Sequence, residues 1–348
     1  MEHADIDSSV GPQSAPATPY DTVIIANGFF GYAAEIAAHL EAHGRHVARF
    51  EDRPSVDTFT KTVIRINPEL MAARSERFFE GIGATLAAHP IRDVLIIRAE
   101  AVSIATIRML RKRLPKARFT LYYWDSYRNL PPTAPAKVDL VDRAFSFDLE
   151  DTSRDARLTY RPLFYLPQYR DIGDAAAQHD IDLLFVGTLH SDRSQVLRRL
   201  LSDLPAALSA RLVLFVRSRL AYEVQRLASP TLRTFPRSNF IFKAIGASEV
   251  ASLMQRSRVI LDIERAIQTG YTIRTFEVLA AGRKLITTNA RVREADFFNP
   301  GNVAVIDRHR PRVDPDFWSA PYERPRPDIL ERYSLAAWLD EVMPGYQS

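Results

Sequence analysis

The sequence predicts an α/β fold of two Rossmann-like, doubly wound halves with a cleft between them. Three observations carry that prediction. Short apolar runs such as "DTVIIAN" and "IDLLFVG" have the unbroken hydrophobic character of strands buried on both faces of a parallel sheet. Segments of helical spacing alternate with these runs along the chain. The alternation also starts over near the middle of the 348 residues, a length that suits two domains.

The first half opens with "DTVIIAN", breaks at "GFFGY", and continues as the helix "AAEIAAHLEAHG", which ends in glycine. "HVARFED" is a second strand, completing a β-loop-α-β unit. A helix over "PELMAARSERFFEGIGATLAAH" leads into the strand "DVLIIRA". The amphipathic "SIATIRMLRKRLP" follows, then the strands "RFTLYYWD" and "RAFSFD". "YRPLFYLPQYRDIGDAAAQHD" has prolines, glycine and no clean period, so it reads as a link between halves. The second half begins with "IDLLFVG", the loop "TLHSDR" and a helix over "SQVLRRLLSDLPAAL". "ARLVLFVR" is its next strand, "SEVASLMQRS" a helix and "RVILDI" a strand. "GYTIRTFEVLAAGRKLITTN" supplies a helix and a strand, and "NVAVID" the last strand. "PDILERYSLAAWLDEVM" reads as one terminal helix. The expected division is a disordered lead-in over 1–19, a domain over 20–165, a linker over 166–180, a domain over 181–326 and a closing helix over 327–348 that returns to the first domain.

Composition narrows the function classes. Hydrophobic residues make up 46% and charged residues 25%, the profile of a globular protein, and no apolar run approaches the length that crosses a bilayer. The first residues, "MEHADIDSSVGPQSAPATP", lack the basic start and apolar middle of a signal peptide. With no cysteine, disulfides and thiolate metal sites are excluded, which fits a cytoplasmic setting. The formal charge of +4 is spread along the chain. It suits phosphate-bearing ligands, peripheral contact with an anionic membrane surface, or simple solvation, and is too dispersed for nucleic acid. The eight histidines are scattered, and no metal-ligand spacing is present.

The segment from Gly270 carries the most chemistry. A helix starting near Thr272 offers free backbone N–H groups and the positive end of its dipole, a site for a diphosphate. Gly270 removes side-chain bulk and permits a backbone turn. Arg274 supplies a charge-assisted bond to phosphate oxygens. Glu277, on the same face at i+3, offers two acceptor oxygens to the hydroxyls of a ribose. The alternative is an intrahelical Arg–Glu pair worth a few tenths of a kcal/mol.

"TGYTIRTFEVLAAGRKLITTN" resembles the donor-binding segment of GT-B glycosyltransferases, above all the CgeB-like and bacterial surface-polysaccharide groups. "SEVASLMQRSRVILDI" and "DIDLLFVGTLHSDR" are similar to the elements that precede this segment and open the nucleotide-sugar domain in such enzymes. The likeness covers roughly residues 180 to 307. It implies that Glu277 holds the donor ribose and that Arg274, with Arg193 and Arg217, meets the diphosphate. The loop after the first strand of the second half adds Gly187 and His190, the histidine as a donor contact or as a rival catalytic base. The resemblance implies a nucleotide sugar as co-substrate, with no metal and no other cofactor. Many retaining members carry a second glutamate at the position of Thr269; here Glu264 lies nearby at another spacing, so the anomeric outcome stays open.

In the first half, "LYYWDSYRNLP" places Asp125 where a strand gives way to a loop, beside Trp124 and Tyr127. A carboxylate there suits the base that takes an acceptor's hydroxyl proton, with aromatics to stack on sugar faces. It equally suits a turn-forming aspartate. "NGFFGY", with Gly28 and Gly31, lacks the dinucleotide fingerprint. Gly28 and Phe29 are candidate acceptor contacts. The reading is a glycosyltransferase acting on a glycan or lipid-linked acceptor in bacterial surface-polysaccharide assembly. Its rivals are an inactive nucleotide-sugar-binding or partner-binding relic and a CDP-donor phosphotransferase of the same fold.

Overall fold

The computed structural model describes residues 18–27, 31–52, 68–170, 172, 179–189 and 191–347. The chain divides into two compact units. The first spans Met1–Ser146, Asp151–Tyr160 and Leu339–Ser348, and the second Phe147–Glu150 and Arg161–Trp338.

The first unit is built on β1 (Thr22–Ile25), β2 (Val47–Phe50), β3 (Asp93–Ile97), β4 (Arg118–Tyr123), β5 (Arg143–Ser146) and β6 (Thr159–Tyr160). They form one parallel sheet in the order β2-β1-β3-β4-β5-β6. Val23, Ile25, Val94, Ile96, Phe119 and Leu121 project into one core by the two-residue period of strands. The Tyr32–Ala42 helix ends before Gly44, which adopts the left-handed conformation (φ +84°) that glycine tolerates. Residues 339–348 belong to this unit, where the Val342 carbonyl accepts from the Thr120 hydroxyl at 3.4 Å and the Tyr346 hydroxyl meets His39 Nε2 at 3.1 Å.

The second unit holds β7 (Ile181–Thr188), β8 (Ala210–Phe215), β9 (Phe240–Ile241), β10 (Ser257–Asp262), β11 (Lys284–Thr287) and β12 (Val303–Val305). These are again all parallel, in the order β12-β11-β10-β7-β8-β9. Leu183, Phe185, Leu212, Leu214, Val259 and Leu261 fill its core. Two parallel six-stranded sheets flanked by helices are the α/β class that the apolar runs predict.

Some local expectations need correction. The terminal segment is two helices, Pro327–Arg332 and Leu335–Val342, broken at Tyr333. Tyr333 leaves the helical path to stack on Phe276 with ring centroids 4.6 Å apart, while its hydroxyl donates to Asp296. The helix expected over 194–208 stops at Ser202, ahead of Pro205. The two-residue strands β6 and β9 and the helix Arg219–Ala228 were not anticipated.

Candidate functional site

In the second sheet, β7, β8 and β9 run outward in one direction from the middle, and β10, β11 and β12 in the other. The direction of winding reverses between β7 and β10. Such a switch point leaves a crevice at the carboxyl ends of the two strands, the place where open α/β sheets take ligands. The helix after β7 opens with Arg193, β10 ends in Asp262, and the loop beyond β10 leads to Thr272.

Arg193 opens the Arg193–Ser202 helix. Its Nε donates to the Ile263 carbonyl at 2.7 Å and its Nη1 to the Thr188 carbonyl at 2.9 Å. The guanidinium thereby ties the ends of β7 and β10 together across the switch point. Burial pushes it down to about 10, which leaves it charged at neutral pH. Gly187 makes room for it: a Cβ there would lie 3.1 Å from the Phe185 ring and 3.3 Å from Arg193 Nη1. His190 lies outside the described residues. Arg217, past the end of β8, is exposed and among the described residues has no partner.

Thr272 caps the Ile273–Ala280 helix, accepting from the Thr275 N–H at 3.4 Å while donating its own proton to Asp262. Asp262 is buried at the tip of β10, and burial holds its carboxyl above the usual carboxylate range. Arg193 and Arg274 act in the opposite sense on it. Gly282 (φ +62°) ends the helix as the sequence indicates.

Of the two properties the sequence suggests for Gly270, the lack of side-chain bulk is the one the structure uses. The residue does not adopt a left-handed conformation. A Cβ at this position would stand 2.6 Å from the Phe147 ring and 2.9 Å from the Phe147 carbonyl, so glycine is required by close packing. Its carbonyl accepts from Asn289 Nδ2 at 3.1 Å.

Arg274 and Glu277 form the i,i+3 pair that the sequence left as an alternative, with Nη1 2.6 Å from Oε2. Unlike a surface pair, its carboxylate is fully buried while the arginine side chain is 18% exposed. The Tyr169 hydroxyl joins both, donating to Glu277 and accepting from Arg274, and burial with the Glu277 charge pushes that phenol upward. Glu264, noted for its spacing, is also buried: Oε1 is 2.6 Å from Arg308 Nη2, and Oε2 accepts from the Thr288 hydroxyl. Thr269 donates to Asp148 through both its N–H and its hydroxyl.

The first sheet reverses between β1 and β3. Of the acceptor-side candidates there, Gly28 and Phe29 lie outside the described residues. At the end of β3, Arg98 (φ +69°) and Ala99 (φ +53°) both adopt the left-handed conformation, an unusual and costly state for such residues. The turn aims Arg98 Nε at Asp125 Oδ2, 2.9 Å away beyond β4. Buried Lys137 clamps the turn, donating to the Ala99 carbonyl at 2.6 Å. Burial pushes this amine down to about 8. Trp124 and Tyr127 are half-buried beside Asp125. Tyr127 is engaged on both ends, its N–H on Asp151 at 2.9 Å and its hydroxyl on Asp155 at 3.3 Å.

Asp262, Arg308, Tyr169 and Arg98 belong to these clusters although no motif in the sequence singles them out. Asp262 had a visible signal, a carboxylate closing the apolar run "RVILD". Among the described residues, no group of three or more histidine, aspartate or glutamate side chains is placed to hold a metal ion, and no helix is long and apolar enough to cross a membrane.

No family model and no curated protein matches this chain by sequence. Solved structures do match. A glycosyltransferase from Rickettsia africae is similar with a TM-score of 0.62 at 12% identity, over 94% of this chain and 98% of that one. HepE of Anabaena, in complex with UDP and glucose, gives 0.58 at 11% identity over 93% and 98%. OtsA in its apo form gives 0.59 at 11% identity over 94% and 99%. Likeness at these identities concerns the fold, and the fold of this chain is that of the GT-B glycosyltransferases.

Proposed function

We propose that this protein transfers a sugar from a nucleotide-sugar donor to a glycan or lipid-linked acceptor, as a CgeB-like enzyme of bacterial surface-polysaccharide assembly working at the cytoplasmic side of the membrane. The observation that carries this reading is the Arg274–Glu277 pair. It sits in the first turns of a capped helix that starts beside the switch point of a parallel sheet. A buried ion pair is poor evidence of stabilisation, because removing two charges from water offsets most of their attraction. A site that binds a diphosphate and a pentose gives both groups a purpose.

In this reading the donor diphosphate approaches the first N–H groups of the Ile273–Ala280 helix and draws Arg274 toward its oxygens. Arg193 adds a second, fixed positive charge, and Arg217 reaches in from beyond β8. Glu277, released from Arg274, then accepts from the ribose hydroxyls, so the ligand replaces one set of partners with another. Electrostatic stabilisation of the departing diphosphate comes from these arginines and the helix dipole, with no cofactor required. Asp125 takes the acceptor hydroxyl's proton as the new glycosidic bond forms. Arg98 orients it, and Trp124 and Tyr127 face the acceptor, with Gly28 and Phe29 as further proposed contacts. HepE was solved with UDP and glucose, and the shared fold makes such a donor a reasonable first probe.

The test is turnover of a panel of UDP, GDP, CDP and TDP sugars, followed as released nucleoside diphosphate. Release of one nucleotide, stimulated by glycan or lipid-linked acceptor, is the expected result. Tight binding of a donor with no release from any of them would instead mark a non-catalytic nucleotide-sugar binder.

A further inference from the structure

The Arg219–Ala228 helix turns its apolar side outward. Ser218 caps its start, accepting from the Ala221 N–H at 3.1 Å. Arg233 closes its end, donating to the carbonyls of Arg226 and Leu227 at 3.1 and 2.7 Å. Tyr222 anchors it: the side chain is buried, with its ring 4.5 Å from that of Phe240 and 5.7 Å from that of Phe242. At roughly 100° per residue, Leu220, Val224 and Leu227 fall within about 60° of one another and on the side opposite Tyr222. They are 76%, 59% and 74% exposed. A helix of a globular domain ordinarily turns such a stripe to the core. This one inverts the rule.

Charge indicates what covers the stripe. From Arg219 to Lys243 the chain has five basic residues and one acid, an excess equal to the +4 of the whole molecule. Arg219, Arg233, Arg237 and Lys243 are exposed, and the lone acid, Glu223, is neutralised by Arg237. A second copy of the chain would bring these cations against their own kind. An anionic lipid surface satisfies both features, taking apolar side chains at its acyl edge and pairing arginines with its phosphates. Arginine stems lie along apolar surface while their heads reach the charge.

We infer that the Arg219–Ala228 helix docks flat on an anionic phospholipid surface through Leu220, Val224 and Leu227. The inference rests on the transfer reading only for its purpose, which is to hold the enzyme beside a lipid-linked acceptor. The docking itself needs no donor.

The test is co-sedimentation of the full chain, without nucleotide, with vesicles of phosphatidylcholine alone and with one third phosphatidylglycerol. The expected result is binding to the anionic vesicles that weakens with added salt. It falls roughly tenfold or more in Leu220→Ser/Val224→Ser/Leu227→Ser, and falls less steeply in Arg237→Gln/Lys243→Gln. Unchanged melting temperatures show that the variants are folded. Donor affinity, measured apart from lipid, stays at the wild-type value in both, which separates a failure here from a failure of the donor site. The proposal is overturned if the wild type ignores anionic vesicles or the triple variant binds them equally well. It is also overturned if the wild type self-associates without lipid and the triple variant does not, because the face then belongs to a second copy.

Discussion

Arg274 Nη1 lies 2.6 Å from Glu277 Oε2, one helical turn along, and the carboxylate it meets is wholly shielded from water. Losing either partner alone leaves a charge in a poorly hydrated place. Arg274→Met is expected to cost about 3 kcal/mol in urea denaturation, and Arg274→Met/Glu277→Met to regain at least ~1 kcal/mol of it. Strictly additive losses would show that the two groups do not depend on each other.

Gly270 is held by sterics. Gly270→Ala forces a Cβ into the Phe147 ring, at 2.6 Å in the present geometry. Overpacking of this kind costs about 1–3 kcal/mol. Adding Phe147→Leu relieves the ring contact and leaves the carbonyl contact, so it restores part of the loss. Thermal denaturation of the single and double variants reads the difference.

Burial holds the Asp262 carboxyl above its ordinary value of 3.8. As pH rises past that value the unfolded chain gives up this proton first, so the group withdraws stability from about pH 4 upward until its folded value is passed. Asp262→Asn has no such proton. Its melting temperature relative to wild type is therefore expected to climb over the pH window that opens at about 4. A flat difference across that window would mean that the carboxyl ionises normally. Thr272, Thr275, Arg193, Arg274 and Glu264 are the polar groups around it, and the Asn variant leaves them in place.

If Asp125 is the base, its loss separates chemistry from binding. With the carboxylate replaced in Asp125→Asn, turnover is expected to fall about 100-fold or more while donor affinity is unchanged. Turnover at the wild-type rate would reduce Asp125 to the partner that steadies Arg98 at the end of β3.

The strands of both sheets were legible because burial on both faces demands uninterrupted apolar runs, and "DTVII", "DVLII" and "VILD" have nothing else to be. The two residues of β6 and of β9 are too few to show any period. The Ile273–Ala280 helix was legible from Thr272 at one end and Gly282 at the other. The Arg219–Ala228 helix was missed although its spacing is regular, since the segment sits between a strand and a proline and its stripe has no core to meet. The burial of Glu277 depends on Tyr169, more than a hundred residues away in a stretch that reads as a link. Only the folded chain brings them together. Likewise Gly270 looks like a loop glycine until Phe147, from the far side of the sequence, is seen against it.

The most direct test of the proposed donor site is calorimetric titration of UDP, GDP, CDP and TDP into the wild type and into the Arg274→Gln and Glu277→Gln variants, each first shown to be folded. The account predicts that one nucleotide binds the wild type and that both variants lose at least ~10-fold in affinity for it, one through the diphosphate and the other through the ribose. A nucleotide that binds both variants as tightly as the wild type would contradict it, because its site would then lie away from the start of this helix.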